Sequence, residues 1–286
     1  MTRKIIAIVP AAGVGERARA ADSASAVDLA QDSAPPGGGG KASPRPIGTV
    51  LPKQYGLLRG EPMLRWAVRA LLVDDRVTEV RVVVAPGDGR AADALAGLPR
   101  TVLRSCGGST RAATVQAALE ELTLDDDMWV LVHDAARPGL PAEDLRRLID
   151  TCLAHGGGGL LARRVADTVK QQAASTPEGN LIPDSHSARA ARNPGKVLSS
   201  SPRADCDRVA RTVRREGLWL AQTPQMFPAQ ALLCAVRDAR GAVDVTDEAS
   251  AMEHAGQAPL LIPGSQRNFK VTWPEDFALM EKWLEP

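Results

Sequence analysis

Lys4-Ile-Ile-Ala-Ile-Val-Pro-Ala-Ala-Gly-Val-Gly-Glu-Arg17 is the stretch whose reading decides the fold. Residues 5–9 form an unbroken apolar run rich in β-branched side chains, which suits a strand buried on both faces of a sheet. Pro10 ends such a strand because it has no N–H for the ladder. The small residues Ala11, Ala12, Gly13 and Gly15 let backbone N–H groups approach a ligand closely, and phosphate is the usual one. Arg17 closes the stretch with a permanent positive charge. A buried strand running into such a loop predicts a nucleotide-binding α/β chain.

The rest of the chain repeats the pattern. Pro62 opens a helix with Leu64, Ala67, Val68 and Leu71 on one face. Strands are predicted over 79–85, 101–104, 129–132 and 160–165, with an extended segment over 212–222 and short strands at 260–262 and 269–271. Helices are expected from about residues 110, 141, 228 and 246, and a last one capped by Thr272 with Glu275. Strands alternating with helices imply a mostly parallel sheet covered on both faces. Ligands of such sheets bind beyond the carboxyl ends of the strands. The glycine loop, Asp134 and Thr223 all follow predicted strands and are placed to share one crevice.

Two stretches interrupt the pattern. In residues 21–49, 19 of 29 residues are Ala, Gly, Pro or Ser, too little apolar surface to offset the entropy of ordering. Residues 171–211 mix Ala, Ser, Pro and Arg without clear periodicity. What remains of the 286 residues fits one α/β domain.

A formal net charge of +1 argues against a nucleic-acid binder, so function must come from placed charges. Cys106, Cys152, Cys206 and Cys234 have neither CxxC spacing nor a disulfide framework, and a reducing cytoplasm is the expected location. Residues 5–9 are too short for a signal-peptide core, and no apolar run approaches the ~20 residues that span a bilayer.

Single motifs decide little. Gly13-x-Gly15-x-x-Ala18 fits the dinucleotide fingerprint, but the acidic residue expected about 20 positions on would fall in the Ala/Gly/Pro insert, which counts against NAD. Residues 37–41 resemble a P-loop, yet Pro35 and Ala42 stand where it needs Gly and Ser or Thr. Neither a HExxH, a GxSxG nor a zinc-spaced set occurs. His133 reads as a packing or hydrogen-bonding residue at a strand end, and no histidine is assigned to catalysis. Lys53, between Pro52 and Gln54, is rigidly placed or merely on the surface. Asp134 either caps a turn or holds a metal or a sugar hydroxyl.

The combination is more specific. Pro10-Ala-Ala-Gly-x-Gly-x-Arg17, Leu51-Pro-Lys-Gln-Tyr55, Gly107-Gly-x-x-Arg111, Val132-His-Asp-Ala-Ala-Arg-Pro138, Ala221-Gln-Thr-Pro-Gln225, Thr246-Asp-Glu-Ala-Ser250 and Asn268-Phe-Lys-Val-Thr272 follow one another in that order. The chain thereby resembles the 2-C-methyl-D-erythritol 4-phosphate cytidylyltransferase family of the non-mevalonate isoprenoid pathway, from residue 5 to about 284 outside the two irregular stretches.

The resemblance implies a Rossmann-like three-layer α/β sandwich with a mostly parallel sheet and a protruding β-arm for dimerisation. It implies a single nucleotidyltransferase domain over 1–286, with a disordered or lid-like insert at 21–49 and an extended arm at 167–218. The implied reaction joins CTP to methylerythritol phosphate, with Mg2+, giving the CDP-alcohol and pyrophosphate. Ala11, Ala12, Gly13, Gly15, Gly108 and Thr114 match nucleotide-binding positions, although Ala113 stands where the family usually carries Asp. Arg17 and Lys53 match transition-state stabilisers, and Asp134 matches the aspartate near metal and substrate. Arg215 and Lys270 match the residues that position the alcohol phosphate, with Thr168, Arg137, Thr223 and Thr246 as secondary contacts. In the family Arg215 and Thr168 reach into a neighbouring subunit, which implies a homodimer with shared active sites. Two alternatives stand beside this reading: a ribitol-5-phosphate cytidylyltransferase and a non-catalytic nucleotide-binding module.

Overall fold

The computed structural model describes residues 3–13, 51–173, 207–242 and 244–284. The expectations for the 21–49 insert, for Gly15 and Arg17, and for residues 174–206 of the irregular stretch lie outside these residues.

The described elements, in chain order, begin with β1 (Ile5–Pro10), β2 (Leu57–Leu58), β3 (Glu61–Pro62), α1 (Met63–Leu72), β4 (Val77–Val83), α2 (Ala91–Leu95) and β5 (Thr101–Arg104). Next come α3 (Arg111–Glu120), β6 (Trp129–Val132), α4 (Ala142–His155), β7 (Gly159–Arg164), β8 (Val169–Gln172) and β9 (Val209–Val213). The chain continues with β10 (Trp219–Pro228), α5 (Ala229–Asp238), α6 (Glu248–His254), β11 (Leu260–Pro263) and α7 (Pro274–Trp283).

Seven strands form one sheet in the order β11-β7-β10-β6-β1-β4-β5. β1 lies between β6 and β4 and is parallel to both. β5 runs parallel to β4 and β11 to β7, while β10 is antiparallel to β6. The apolar run of β1 is buried on both sides, as its composition requires. Ile5, Ala7 and Val9 enter a core with Leu64, Val68 and Leu71 of α1 and Leu145, Leu148 and Ile149 of α4. Ile6 and Ile8 enter a second core with Val115 and Leu119 of α3 and Leu232 and Leu233 of α5. Helices on both faces make three layers. Each fully buried Ile contributes ~1.5–3 kcal/mol relative to exposure, so this strand anchors the sheet.

Four expectations need correction. The strand placed at 79–85 is Val77–Val83, because Val77 already pairs with Ile5. The extended segment at 212–222 is two strands: β9 stops at Val213, Gly217 turns the chain at φ +82°, and β10 continues through Pro224 to Pro228. Pairing of β10 with β6 begins at Gln225, so the N–H that Pro224 lacks is not missed by that ladder. Residues 269–271 are not a strand; single bonds hold them, the Val271 N–H donating to the Ala136 carbonyl at 2.8 Å. The cap of α7 is shifted by one residue: Asp276, not Glu275, accepts from the Thr272 and Trp273 N–H groups at 2.7 and 2.8 Å.

The chain divides into two compact units, and residues Arg164–Trp219 form the second. Its described part includes the antiparallel pair β8–β9, with Val169 opposite Val213. Arg164 stacks over the Trp219 ring at 4.6 Å, and Arg215 donates to the Ala166 carbonyl. Thr168 and Arg215 belong to this unit.

Candidate active site

The site of the larger unit lies where the parallel strands β1 and β6 end, and Thr223 reaches it from the antiparallel β10. β1 delivers Ala11, Ala12 and Gly13, and the Ala11 N–H donates to the Val83 carbonyl of β4 at 2.7 Å. β6 delivers His133 and Asp134. Gly107 packs against both neighbours: a Cβ there would lie 2.4 Å from the Ala12 Cβ and 2.6 Å from the Val84 carbonyl oxygen. Only glycine lets these segments approach so closely. Gly107→Ala is expected to destabilise the fold by ~1–3 kcal/mol through overpacking and to raise KM for the nucleotide, because Ala12 must move. Thermal melts and steady-state kinetics check this, with Gly89→Ala, which meets open space, as the control.

Thr110 caps α3, accepting from the Ala113 N–H at 3.1 Å. The Thr114 hydroxyl, one turn in, accepts from the Gly108 N–H at 3.1 Å and donates to the Thr110 carbonyl at 2.9 Å. Thr114 therefore shapes the Gly108 loop. Gln54 is buried and donates to the Ala11 carbonyl at 2.8 Å, which ties the segment carrying Lys53 to the β1 loop. Lys53 donates from Nζ to the Val271 carbonyl.

Two cavities meet here. One, of about 240 Å³, is lined by Ala11, Ala12, Gly13, Lys53, Gly108 and Thr114, the described positions expected to bind nucleotide together with the expected catalytic lysine. The other, of about 190 Å³, is lined by Arg137, Thr223 and Thr246. Arg111, Asp134 and Lys270 line both and form the seam between them. A further cavity of about 270 Å³ between α3, α5 and α6 is walled largely by apolar side chains such as Val115, Val236 and Ala239.

Asp134 is the charge centre of the seam. Its Oδ1 accepts from Arg111 Nε at 2.8 Å, its Oδ2 pairs with Lys270 Nζ at 2.9 Å, and Arg137 Nε lies 3.7 Å away. Burial alone would raise the carboxyl pKa, but the Arg111, Lys270 and Arg137 charges outweigh it and hold it well below the usual carboxylate range. Arg111 also forms a bidentate pair with buried Glu248, at 2.7 and 2.9 Å. The Thr223 hydroxyl accepts from the Asp134 N–H at 2.9 Å and is itself buried.

Lys53, Asp134, Arg137, Lys270, Thr223 and Thr246, all expected from the sequence, line these adjoining cavities. Arg111 and Glu248 stand within motifs, and the sequence alone assigns neither a role. A signal existed: Arg111 is the first residue of α3, where a cation opposes the helix dipole unless an anion compensates it.

His133 is fully buried, as a strand-end hydrogen-bonding residue should be. Burial lowers its pKa to about 4, against the opposing pull of Asp134. The unfolded chain takes up a proton near pH 6.5 that the native protein refuses until about pH 4. Stability present above pH 6.5 is therefore lost as pH falls towards 4, by up to about 3 kcal/mol. Urea unfolding at pH 7.5 and 5 should show this loss in the wild type and a smaller one in His133→Gln. Equal losses would place the proton uptake elsewhere.

Comparison with known proteins adds to the geometry. A family model described as IspD, 2-C-methyl-D-erythritol 4-phosphate cytidylyltransferase, matches residues 38–194 and 197–286. A Bordetella petrii protein with that name is 53% identical over 285 residues, covering 99% of this chain and 100% of its own. A Ralstonia nicotianae protein of the same name is 40% identical over 294 residues, covering 99% and 92%. A crystal structure of 4-diphosphocytidyl-2C-methyl-D-erythritol synthase superposes with a TM-score of 0.69 at 30% identity, covering 100% of both chains.

Proposed function

The chain belongs to the 2-C-methyl-D-erythritol 4-phosphate cytidylyltransferase family, and from that premise we propose how its two cavities divide the work. The enzyme transfers CMP from CTP to 2-C-methyl-D-erythritol 4-phosphate in isoprenoid biosynthesis, releasing pyrophosphate. In the proposal CTP occupies the cavity of Ala11, Gly13 and Gly108, and the alcohol phosphate occupies the cavity of Arg137 and Thr223. The observation that carries this division is the seam: Arg111, Asp134 and Lys270 line both cavities, so both phosphates face the same charges.

The substrate phosphate is already an anionic nucleophile at neutral pH, and no side-chain nucleophile is required. One of its oxygens attacks the α-phosphorus, and the bond to the bridging oxygen of pyrophosphate breaks. What needs stabilising is the charge on the α-phosphoryl oxygens and the leaving group. A charge pair at 4 Å gains ~1 kcal/mol in water but ~4 kcal/mol at an effective dielectric of 20. Lys53 is proposed to act on the triphosphate and Lys270 with Arg137 on the alcohol phosphate. Arg17 is the proposed partner of Lys53.

Magnesium fits this donor set as an ion carried by the triphosphate. Among the described residues no cluster of three His, Cys, Asp or Glu side chains exists to cage a metal. Asp134 has one oxygen on Arg111 and the other on Lys270, and a carboxylate offers about four lone-pair sites, so capacity for one metal bond remains. Bound there, magnesium would supply further neutralisation of phosphate charge. Chelation by EDTA is expected to abolish turnover and added Mg2+ to restore it; full activity in EDTA would remove the metal from the proposal.

We also propose a cytoplasmic homodimer in which Thr168 and Arg215 of the second unit serve a neighbouring site. Among the described residues no helix is long and apolar enough to cross a membrane. A fully active monomer in sedimentation would contradict the shared site. The reaction is tested by pyrophosphate release from CTP with a panel of alcohol phosphates. Methylerythritol phosphate should turn over fastest; faster turnover of ribitol 5-phosphate, or none with any ester, would sink the proposal.

A further inference from the structure

His133 lies beneath the turn that carries Asp134 and Arg137, and both of its ring nitrogens are engaged. Nε2 is 3.0 Å from the Arg137 carbonyl oxygen and Nδ1 is 3.1 Å from the Thr223 hydroxyl. A carbonyl only accepts, so in the neutral ring Nε2 carries the proton and Nδ1 accepts. The Thr223 hydroxyl must then donate to Nδ1. That commits its one proton and leaves its lone pairs for the Asp134 N–H, 2.9 Å away.

The bonds continue into a closed circuit. Arg137 Nη1 donates to the Asn268 carbonyl at 2.8 Å, and Asn268 Nδ2 donates to the Thr223 carbonyl at 2.7 Å. His133, Arg137, Asn268 and Thr223 are thus linked head to tail, all of them buried. The three segments so joined are the end of β6 with its turn, the middle of β10, and the approach to Lys270. They carry Asp134 and Lys270 of the seam and Arg137 of the smaller cavity.

We propose that His133 is a positioning residue: by donating to Arg137 and accepting from Thr223, it sets the direction of the hydrogen bonds that place Asp134, Arg137 and Lys270 around the alcohol phosphate. The proposal rests on the assignment of the smaller cavity to that substrate. His133 touches no substrate itself, and its effect passes through the backbone of the turn and through Thr223. Groups that orient metal ligands from behind typically carry ~10–100-fold in affinity or activity, and His133 stands in the same relation to these charges.

Two measurements test it. Nitrogen-15 NMR of histidine-labelled wild type at pH 7 should report a neutral ring protonated on Nε2, whatever the enzyme turns over; the Nδ1–H tautomer overturns the circuit. His133→Phe keeps the bulk and removes both bonds. It is expected to raise KM for the alcohol phosphate about 10-fold, with KM for CTP nearly unchanged. His133→Gln, whose amide N–H can reach the Arg137 carbonyl, should recover part of the loss. Equal changes in both KM values, or none in a folded variant, mean that His133 only fills space. If His133→Phe does not fold, His133→Gln against wild type gives the same comparison, with the smaller rise confined to the alcohol phosphate. Wild type that releases no pyrophosphate with methylerythritol phosphate would refute the substrate assignment, and the NMR result would still decide the circuit.

Discussion

Lys53→Ala is expected to lower kcat by ~100–1,000-fold while KM for CTP changes much less, because the lysine acts on charge that develops as pyrophosphate leaves. Lys53 lines the nucleotide cavity beside Ala11 and Gly13 and is oriented by its bond to the Val271 carbonyl. Losing that bond costs about 1 kcal/mol, so the variant should fold with a slightly lower Tm. Lys53→Arg keeps the charge but not its compact shape and should fall between the two. The readout is pyrophosphate release under saturating substrates. A rate near that of wild type would make Lys53 a surface residue with a structural bond.

Asp134→Asn should show the second large effect, in two observables at once. The carboxylate compensates Arg111, Lys270 and Arg137. Its replacement leaves a buried excess of positive charge, and breaking a buried pair from one side costs about 3–5 kcal/mol. Glu248 still holds Arg111, which places the expected loss near the lower end, about 3 kcal/mol. Because Asp134 lies on the seam, kcat/KM should fall ~100-fold or more for both substrates, as for an interaction used in the transition state. The depressed carboxyl pKa also predicts a pH signature. Its stabilisation is present above the unfolded value near 4 and is lost as pH falls further. Wild type should lose that contribution on acidification and Asp134→Asn should not. A variant as stable as wild type at pH 7, or one impaired for a single substrate only, would remove Asp134 from the centre of the site.

What the sequence made legible follows from where the information is local. Residues 5–9 specify a doubly buried strand by composition alone, and the strand is central with one core on each side. Periodicity in Leu64, Ala67, Val68 and Leu71 specifies the buried face of α1. Boundaries were less legible because pairing partners set them: β4 starts at Val77 because Ile5 lies across from it. β10 was hard to read because two prolines argue against a strand, and only the register shows that Pro224 precedes the residues paired with β6. In the site, residues with a recognisable chemistry in a motif were found. Arg111 and Glu248 were not, because their pairing joins the first residues of two helices 137 positions apart. The local signal, a cation at the start of α3, asks for an anion but does not say which residue supplies it. The circuit through His133 was hidden for the same reason: a lone histidine at a strand end gives no indication of its partners.

The most direct test of the two-cavity account is a crystal structure with CTP bound. The cytidine and triphosphate are expected in the cavity of Ala11, Gly13, Gly108 and Thr114, with phosphates at Lys53 and the Arg111–Asp134–Lys270 seam. Nucleotide bound instead in the apolar cavity of Val115, Val236 and Ala239, or in the cavity of Arg137 and Thr223, would contradict it.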